Sequence, residues 1–226
     1  MKILSHKPSL AFIRCYLCDS LIDRADTICE HCLSQVLSSP THLAWEDILF
    51  RPDAQRMLKL SNINQLYCFD EYQAPFDFLI PQVKYQANPV AKACLKKLIL
   101  SQNVDFSAYD YLAPVPLHWW RYYMRGFNQA HWLANLLQRL TQLPVLNSTK
   151  RVRYTRQQAK LNAKQRAYNL SQAFVVKNVS TITGRRILIV DDVVTTGATL
   201  QAFSQILLNA GAAQVSAACV CWARLD

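Results

Sequence analysis

Three features of the sequence predict an α/β fold, a parallel sheet flanked by helices behind a small N-terminal unit held by cysteines. Strand-like and helix-like segments alternate from about residue 65 onward, the pattern of a parallel sheet with crossover helices. Residues 187–190, Ile-Leu-Ile-Val, form an apolar run of the kind buried on both faces of such a sheet, and the run passes through two acids into a helix. Four of the eight cysteines fall in close pairs near the N-terminus. A chain of 226 residues, 51% of them hydrophobic, is long enough to bury a full domain with a small appended unit, which excludes disorder as the default.

Taken in chain order, residues 1–14 contain no apolar run long enough for a signal segment, and no later stretch reaches the length of a membrane span. This predicts a cytoplasmic protein whose thiols stay reduced, where clustered cysteines serve as metal ligands rather than disulfide partners. Cys15 and Cys18 form one C-x2-C pair and Cys29 and Cys32 another, with a loop between them short enough for both pairs to reach one ion. Four thiolates around a structural, tetrahedral Zn²⁺ are the expected site, fixing a segment too small for a core of its own. The alternatives are a redox pair or chance spacing, and no β-α-β pattern flanks the pairs to favour the redox reading. His31 reads as an exposed bystander, and Cys68, Cys94, Cys219 and Cys221 as small buried hydrophobes. The expected organisation is a zinc-finger segment over 1–40, a connector with a short helix over 41–65, and the α/β domain over 66–226.

Within that domain, residues 66–72 alternate as a strand, and Asn88-Pro89 opens a helix that runs to about Leu100, with Pro at its first position. Residues 109–115 form a second strand. Residues 130–143 are helical, with Trp132, Leu133, Leu136, Leu137 and Leu140 on one face. A further strand is expected near Val145, an edge strand at 174–176, a buried strand at 187–190, a helix over 200–209 with Gly211 beyond its end, and a closing strand at 215–222.

The segment 187–200 carries the clearest chemistry. The strand delivers Asp191 and Asp192, whose carboxylates can accept hydrogen bonds from the vicinal hydroxyls of a ribose and help to hold Mg²⁺. Thr195, Thr196, Gly197, Ala198 and Thr199 then wrap onto a helix N-terminus, where free N–H groups and hydroxyls receive a phosphate. It is neither a Walker loop nor a dinucleotide fingerprint. From Asp191 through Val193 and Val194 to Thr199, the segment resembles the loop of type I phosphoribosyltransferases that binds 5-phosphoribosyl-1-pyrophosphate (PRPP). That resemblance implies PRPP as ligand, with Mg²⁺. The end of the 109–115 strand lies where the pyrophosphate would sit, so backbone amides near Leu117 and His118, with Arg121 or Arg125, are candidate donors. Trp119, Trp120 and Phe127 fit packing as well as they fit a site.

The four-cysteine unit, Pro114-Val-Pro-Leu-His118, Arg125-Gly-Phe-Asn-Gln-Ala130, Thr155-Arg-Gln-Gln158 with Leu161, Arg166 and Asn169, and the Asp-Asp loop together resemble the ComF family over nearly the whole chain. The resemblance implies a cytosolic bacterial protein of natural transformation, which handles incoming single-stranded DNA alongside other DNA-uptake or recombination proteins. It also places Lys84, of a recurring Lys-Tyr pair, near the pyrophosphate. If transfer chemistry occurs, Asp191 and Asp192 would hold the sugar while Lys84 and Arg125 neutralise the leaving group.

The formal charge of +10 is a segment property: 13 Lys and Arg, and no Asp or Glu, lie between Tyr111 and Val190. Lys150, Arg151, Arg153, Arg156, Lys160, Lys164 and Arg166, with Tyr154 among them, form a basic, aromatic-interleaved stretch. It suits single-stranded nucleic acid, a mobile cover over PRPP, or a solvated loop. Three functions stay open at this level: a DNA-handling protein that binds PRPP, a true phosphoribosyltransferase, and a PRPP sensor without DNA.

Overall fold

The computed structural model describes residues 13–23, 26–153 and 173–224. The N-terminal unit is an antiparallel ribbon, β1 (Ile13–Arg14) with β2 (Leu21–Ile22), followed by α1 (Glu30–Leu37). The chain continues through β3 (His42–Asp47), a short 3-10 turn, α2 (Pro52–Met57), β4 (Leu66–Glu71), α3 (Phe76–Tyr85) and α4 (Pro89–Leu100). After these come β5 (Tyr111–Pro114), α5 (Trp119–Arg125), α6 (Gln129–Thr141), β6 (Thr149–Arg151) and β7 (Phe174–Val176). The chain closes with β8 (Arg186–Val194), α7 (Ala198–Asn209) and β9 (Gln214–Trp222).

Five strands make the main sheet in the order β3-β4-β9-β8-β5, with β4, β9, β8 and β5 parallel and β3 antiparallel against β4. The apolar run in β8 is explained by burial on both sides. Ile187 and Ile189 join a core with Leu66, Phe203 and Trp222, while Leu188 and Val190 join a second core with Phe69, Leu112 and Leu133. This is the expected phosphoribosyltransferase-type sheet with helices on its two faces.

Several elements differ from the sequence expectation, each for a physical reason. The region expected as a connector does hold a short helix, α2, but its first part is the sheet's edge strand β3. That strand is anchored by Asp47, whose Oδ1 accepts the Leu66 N–H at 2.9 Å, and by a buried contact of His42 Nδ1 with Asp70 Oδ2 at 3.0 Å. Helix α3 was hidden by Pro81 in its interior, a residue that normally breaks a helical pattern. The stretch after His118, for which the sequence pattern predicts no element, is helix α5. Val145 makes a single bridge to Leu112 rather than a strand, and β7 pairs only with β6, in a separate ribbon. Strand β8 runs past the apolar residues through both acids, with Asp191 opposite Cys219 and Val193 opposite Cys221.

The cysteine unit is not a free appendage. Cys15, Ile28 and Cys32 are buried in the same core as Phe76, Cys94 and Leu98 of α3 and α4. Lys97 Nζ donates to Asp26 Oδ1 at 2.7 Å and to the Ile28 carbonyl at 3.3 Å, and Asn88 Nδ2 donates to the Tyr16 hydroxyl at 2.8 Å. Among the described residues no helix is long and apolar enough to cross a membrane.

Candidate functional site

The four sulfurs of Cys15, Cys18, Cys29 and Cys32 all lie within 4.8 Å of one another, with Cys18 and Cys29 at 3.6 Å. Tetrahedral Zn–S bonds of about 2.3 Å place sulfurs roughly 3.8 Å apart, so the set fits one ion. Its surroundings favour thiolate at Cys15 and Cys18, while burial and the neighbouring sulfurs push the Cys32 thiol up. The Cys29 N–H donates to Cys15 Sγ at 3.3 Å and the Cys32 N–H to Cys29 Sγ at 3.4 Å. The Ser20 hydroxyl brings the Cys18 thiol down to about 6. The cluster could hold a metal ion, and among the described residues it is the one grouping of three or more His, Cys, Asp or Glu side chains close enough to do so.

The second site lies at the carboxyl edge of the parallel strands, where open α/β sheets bind ligands. Asp191 and residues Val193 to Leu200 line a pocket of about 50 Å³. Helix α7 opens onto this pocket behind Gly197, which sits in the left-handed region at φ 75° and leaves the helix N-terminus without a side-chain cap. A Cβ on Gly197 would come within 2.7 Å of the Leu60 side chain, so the loop needs glycine for space as well as for conformation. The Ser61 N–H reaches Gln201 Oε1 at 3.0 Å, so the segment after α2 is stitched to the start of α7.

The acid pair is divided between two neighbourhoods. Asp191 faces the pocket; burial, then the charge of Asp192, pushes its carboxyl up to about 7, against the opposing pull of Lys84 and Arg151. Asp192 is held by Lys84, Nζ to Oδ2 at 2.9 Å, with both side chains mostly buried. Burial alone would lower the Lys84 pKa, but Asp192 outweighs it and holds the ammonium above its ordinary value.

Beside this edge, the Val115 N–H pairs with the Val190 carbonyl at 2.9 Å, and the chain turns through Leu117 into α5. His118 caps that helix, its Nδ1 accepting the Trp120 N–H at 3.3 Å. Burial lowers the His118 pKa, and Arg151 and Arg121 lower it further. Arg125 is committed locally. Its Nη1 donates to Gln129 Oε1 at 3.1 Å, and its guanidinium lies 4.9 Å from the centre of the Tyr85 ring. Gly126, left-handed at φ 76°, ends α5, and Asn128 starts α6 by accepting the Ala130 N–H at 3.1 Å while donating to the Val115 carbonyl at 3.0 Å. The Arg-Gly-Phe-Asn-Gln run is thus a helix stop, a helix start and a tie back to the strand end.

Over 214 residues the chain is 30% identical to Competence protein F of Haemophilus influenzae, covering 89% of this chain and 93% of that protein. The chain belongs to the ComF family. Other relatives agree: the DNA utilization protein YhgH of Escherichia coli K12 is 30% identical over 215 residues, 92% of this chain and 89% of its own. Competence protein ComFC of Bacillus subtilis is 39% identical over 108 residues, 46% of this chain and 41% of its own. The phosphoribosyl transferase domain model matches residues 126–225 of this ComF chain. Among solved structures, the allosteric regulatory enzyme of purine biosynthesis is similar at 19% identity and a TM-score of 0.36, covering 55% of this chain and 24% of that one.

The structure brings Lys84, Asp191 and Asp192 together at the sheet edge, with Val193 to Thr199 in the adjoining pocket. Lys150 is exposed on β6, and Arg153 lies just beyond that strand. Tyr154, Arg156, Lys160, Lys164 and Arg166 lie outside the described residues, as do Thr155, Gln158, Leu161 and Asn169. Arg151, expected on the basic nucleic-acid surface, packs its guanidinium over Phe174 at 5.2 Å and lies close enough to Asp191 and His118 to shift both. No local pattern signals this, because β6 reaches the site from a distant part of the chain. Tyr85 and Gln129 were missed for a different reason: they act by contact with Arg125 and carry no recognisable motif of their own.

Proposed function

We propose that this ComF-family protein binds PRPP with Mg²⁺ at the carboxyl edge of the sheet and handles single-stranded DNA in the cytoplasm during DNA uptake. The observation that carries the PRPP reading is the Lys84–Asp192 pair beside Asp191, set against the uncapped N-terminus of α7. The 5-phosphate would enter the pocket of Thr195 to Thr199, and the ribose hydroxyls would meet the acid pair. The pyrophosphate would lie toward Leu117, His118 and Arg121, with Arg151 as a further cation. Two carboxylates are fewer ligands than Mg²⁺ requires, which suits an ion that arrives on the pyrophosphate with its own waters. The cysteine cluster would hold a structural Zn²⁺, and purified protein should carry one equivalent; less than about half would overturn that assignment.

The DNA reading rests on the names of the relatives, the acid-free stretch from Tyr111 to Val190 and the exposed Lys150. Partners among DNA-uptake or recombination proteins follow from the same role. Calorimetric titration with PRPP and Mg²⁺ tests the first site: heat of binding is expected for the native chain and its loss in Asp191→Ala/Asp192→Ala, and no binding by the native chain would refute it. A labelled single-stranded oligonucleotide at two salt concentrations tests the second, with affinity expected to fall steeply as salt rises.

A second reading, transfer of the phosphoribosyl group to a nitrogen acceptor, is favoured by Asp191. A carboxyl pushed up to about 7 is suited to take a proton from the acceptor. Pyrophosphate release from PRPP across a panel of nitrogenous bases decides it; no release above blank for any of them removes the enzyme.

A further inference from the structure

Helix α5 has the sequence Trp-Trp-Arg-Tyr-Tyr-Met-Arg, and none of its residues is buried. Trp119 is 66% exposed, Tyr122 53% and Tyr123 77%. Large aromatic rings ordinarily supply core area, so a helix that spends four of them on solvent is not held in the fold for packing. Trp119 and Tyr122 form one wall of a cleft of about 690 Å³, a size typical of small-ligand sites. Thr149, Lys150 and Arg151 of β6 face them, Pro114, Pro116 and Leu146 supply apolar surface, and His131 and Asn147 bring hydrogen-bonding edges. Every lining residue falls between Pro114 and Val152, inside the stretch that contains no Asp or Glu, so no carboxylate lines the cleft.

Lys150 sits close enough to Lys177 to lower the pKa of that second ammonium. Two cations side by side at the rim of a cleft whose lining has no carboxylate favour an anion there. Flat rings on one wall and fixed positive charge on the other match the two halves of a nucleotide, a planar base and a phosphate.

We propose that this cleft binds one nucleotide unit of single-stranded DNA, its base against Trp119 and Tyr122 and its phosphate at Lys150. The inference rests on the DNA reading above and gives it a location that the basic stretch alone did not. A duplex is the wrong partner, because its bases are already stacked on each other and cannot lie against the rings. The cleft shares no lining residue with the pocket of Asp191 to Leu200, and it borders the proposed pyrophosphate position at Leu117 and Arg151.

The test is fluorescence anisotropy of a labelled thymidine oligomer at low salt, on the native chain, Trp119→Ala/Tyr122→Ala, Trp119→Phe/Tyr122→Phe and Lys150→Glu. Loss of two rings should weaken binding about tenfold or more, while the phenylalanine pair, which keeps the rings, should stay within about threefold of the native chain. An abasic oligomer of the same length should bind the native chain no better than the thymidine oligomer binds the alanine pair. Lys150→Glu, a change on an exposed strand position, should weaken both oligomers. Unchanged affinity in the alanine pair, an abasic oligomer that binds as tightly as thymidine, or a duplex that competes equally would each overturn the proposal. A thermal shift by PRPP and Mg²⁺ that matches the native chain shows that the alanine pair is folded; if it is not, the phenylalanine pair, Lys150→Glu and the abasic arm still decide. Should no oligomer bind the native chain at low salt, the DNA reading fails by itself. The cleft then stands only if free thymidine monophosphate binds the native chain and not Lys150→Glu, and it falls if that nucleotide does not bind.

Discussion

The phosphate edge and the aromatic cleft are neighbours built on opposite electrostatic plans. At the edge, cation and anion are locked together in the absence of ligand: Lys84 is spent on Asp192, and Asp191 is held partly protonated by its burial and its neighbour. In the cleft there are cations and rings with no carboxylate among them. A site of the first kind is pre-organised and electrically quiet, suited to a small ligand that brings both its own metal and its own charge. A site of the second kind attracts polyanion from a distance and holds it weakly at each point, with affinity tied to salt.

Substitutions can break this contrast or sharpen it. The largest effect is expected from Asp191→Ala/Asp192→Ala: PRPP affinity measured by calorimetry falls about 100-fold or more, the loss of two charge-assisted contacts, while oligonucleotide affinity stays within twofold. A parallel fall in DNA binding would mean the two sites are one. Next, Lys84→Met leaves Asp192 as an orphaned, mostly buried charge and should cost about 3 kcal/mol in urea unfolding, with much of the loss restored by adding Asp192→Asn. If the single variant is as stable as the native chain, the edge is not charge-locked.

Gly197→Ala should cost about 1–2 kcal/mol from the left-handed backbone, before any clash. Combining it with Leu60→Ala relieves the contact and leaves the backbone term, so a partial rescue read by thermal unfolding separates the two. Lys150→Ala should lower the slope of log affinity against log salt for single strands by about 0.7 while PRPP binding is unchanged.

A pH dependence completes the set. Because the Asp191 carboxyl is raised to about 7, the folded chain keeps a proton there that the unfolded chain has released between about pH 4 and 7, so stability from this group declines as pH rises through that window. Asp191→Asn should therefore raise the melting temperature at pH 8, by roughly 2–4 °C for each kcal/mol recovered, and have little effect at pH 4. A variant that melts lower at pH 8 than the native chain would contradict the burial argument.

The same contrast explains what the sequence disclosed. The pocket at the end of β8 is lined by a nearly continuous run, Asp191 with Val193 to Leu200, so one strand-to-helix transition was enough to point to it. The four cysteines were legible because their spacing is itself the signal. The cleft is discontinuous: Trp119 and Tyr122 meet Lys150 only because α6 carries the chain around between them, and no local pattern records that meeting. Helix α3 escaped notice because of Pro81, and β3 because its burial alternates around two residues, Ala44 and Trp45, with positive φ. The direction of Asp192, toward Lys84 rather than the Thr195–Thr199 loop, is likewise a tertiary outcome, since Asp192 lies on β8 and Lys84 on helix α3.

The burial of Cys15 and Cys32 among the side chains of α3 and α4 bears on how this protein could be divided. A fragment beginning at β4 would keep every residue of the phosphate pocket, yet it would strip the outer cover from the helix that carries Lys84 and remove the antiparallel edge strand as well. The sheet would be left with an open edge and an apolar flank, both invitations to self-association. Metal loss would act on the same flank without cutting the chain. The cysteine unit is thus best thought of as the outer wall of the α3–α4 side of the sheet, and if the cluster holds an ion, metal content would report whether that side is intact.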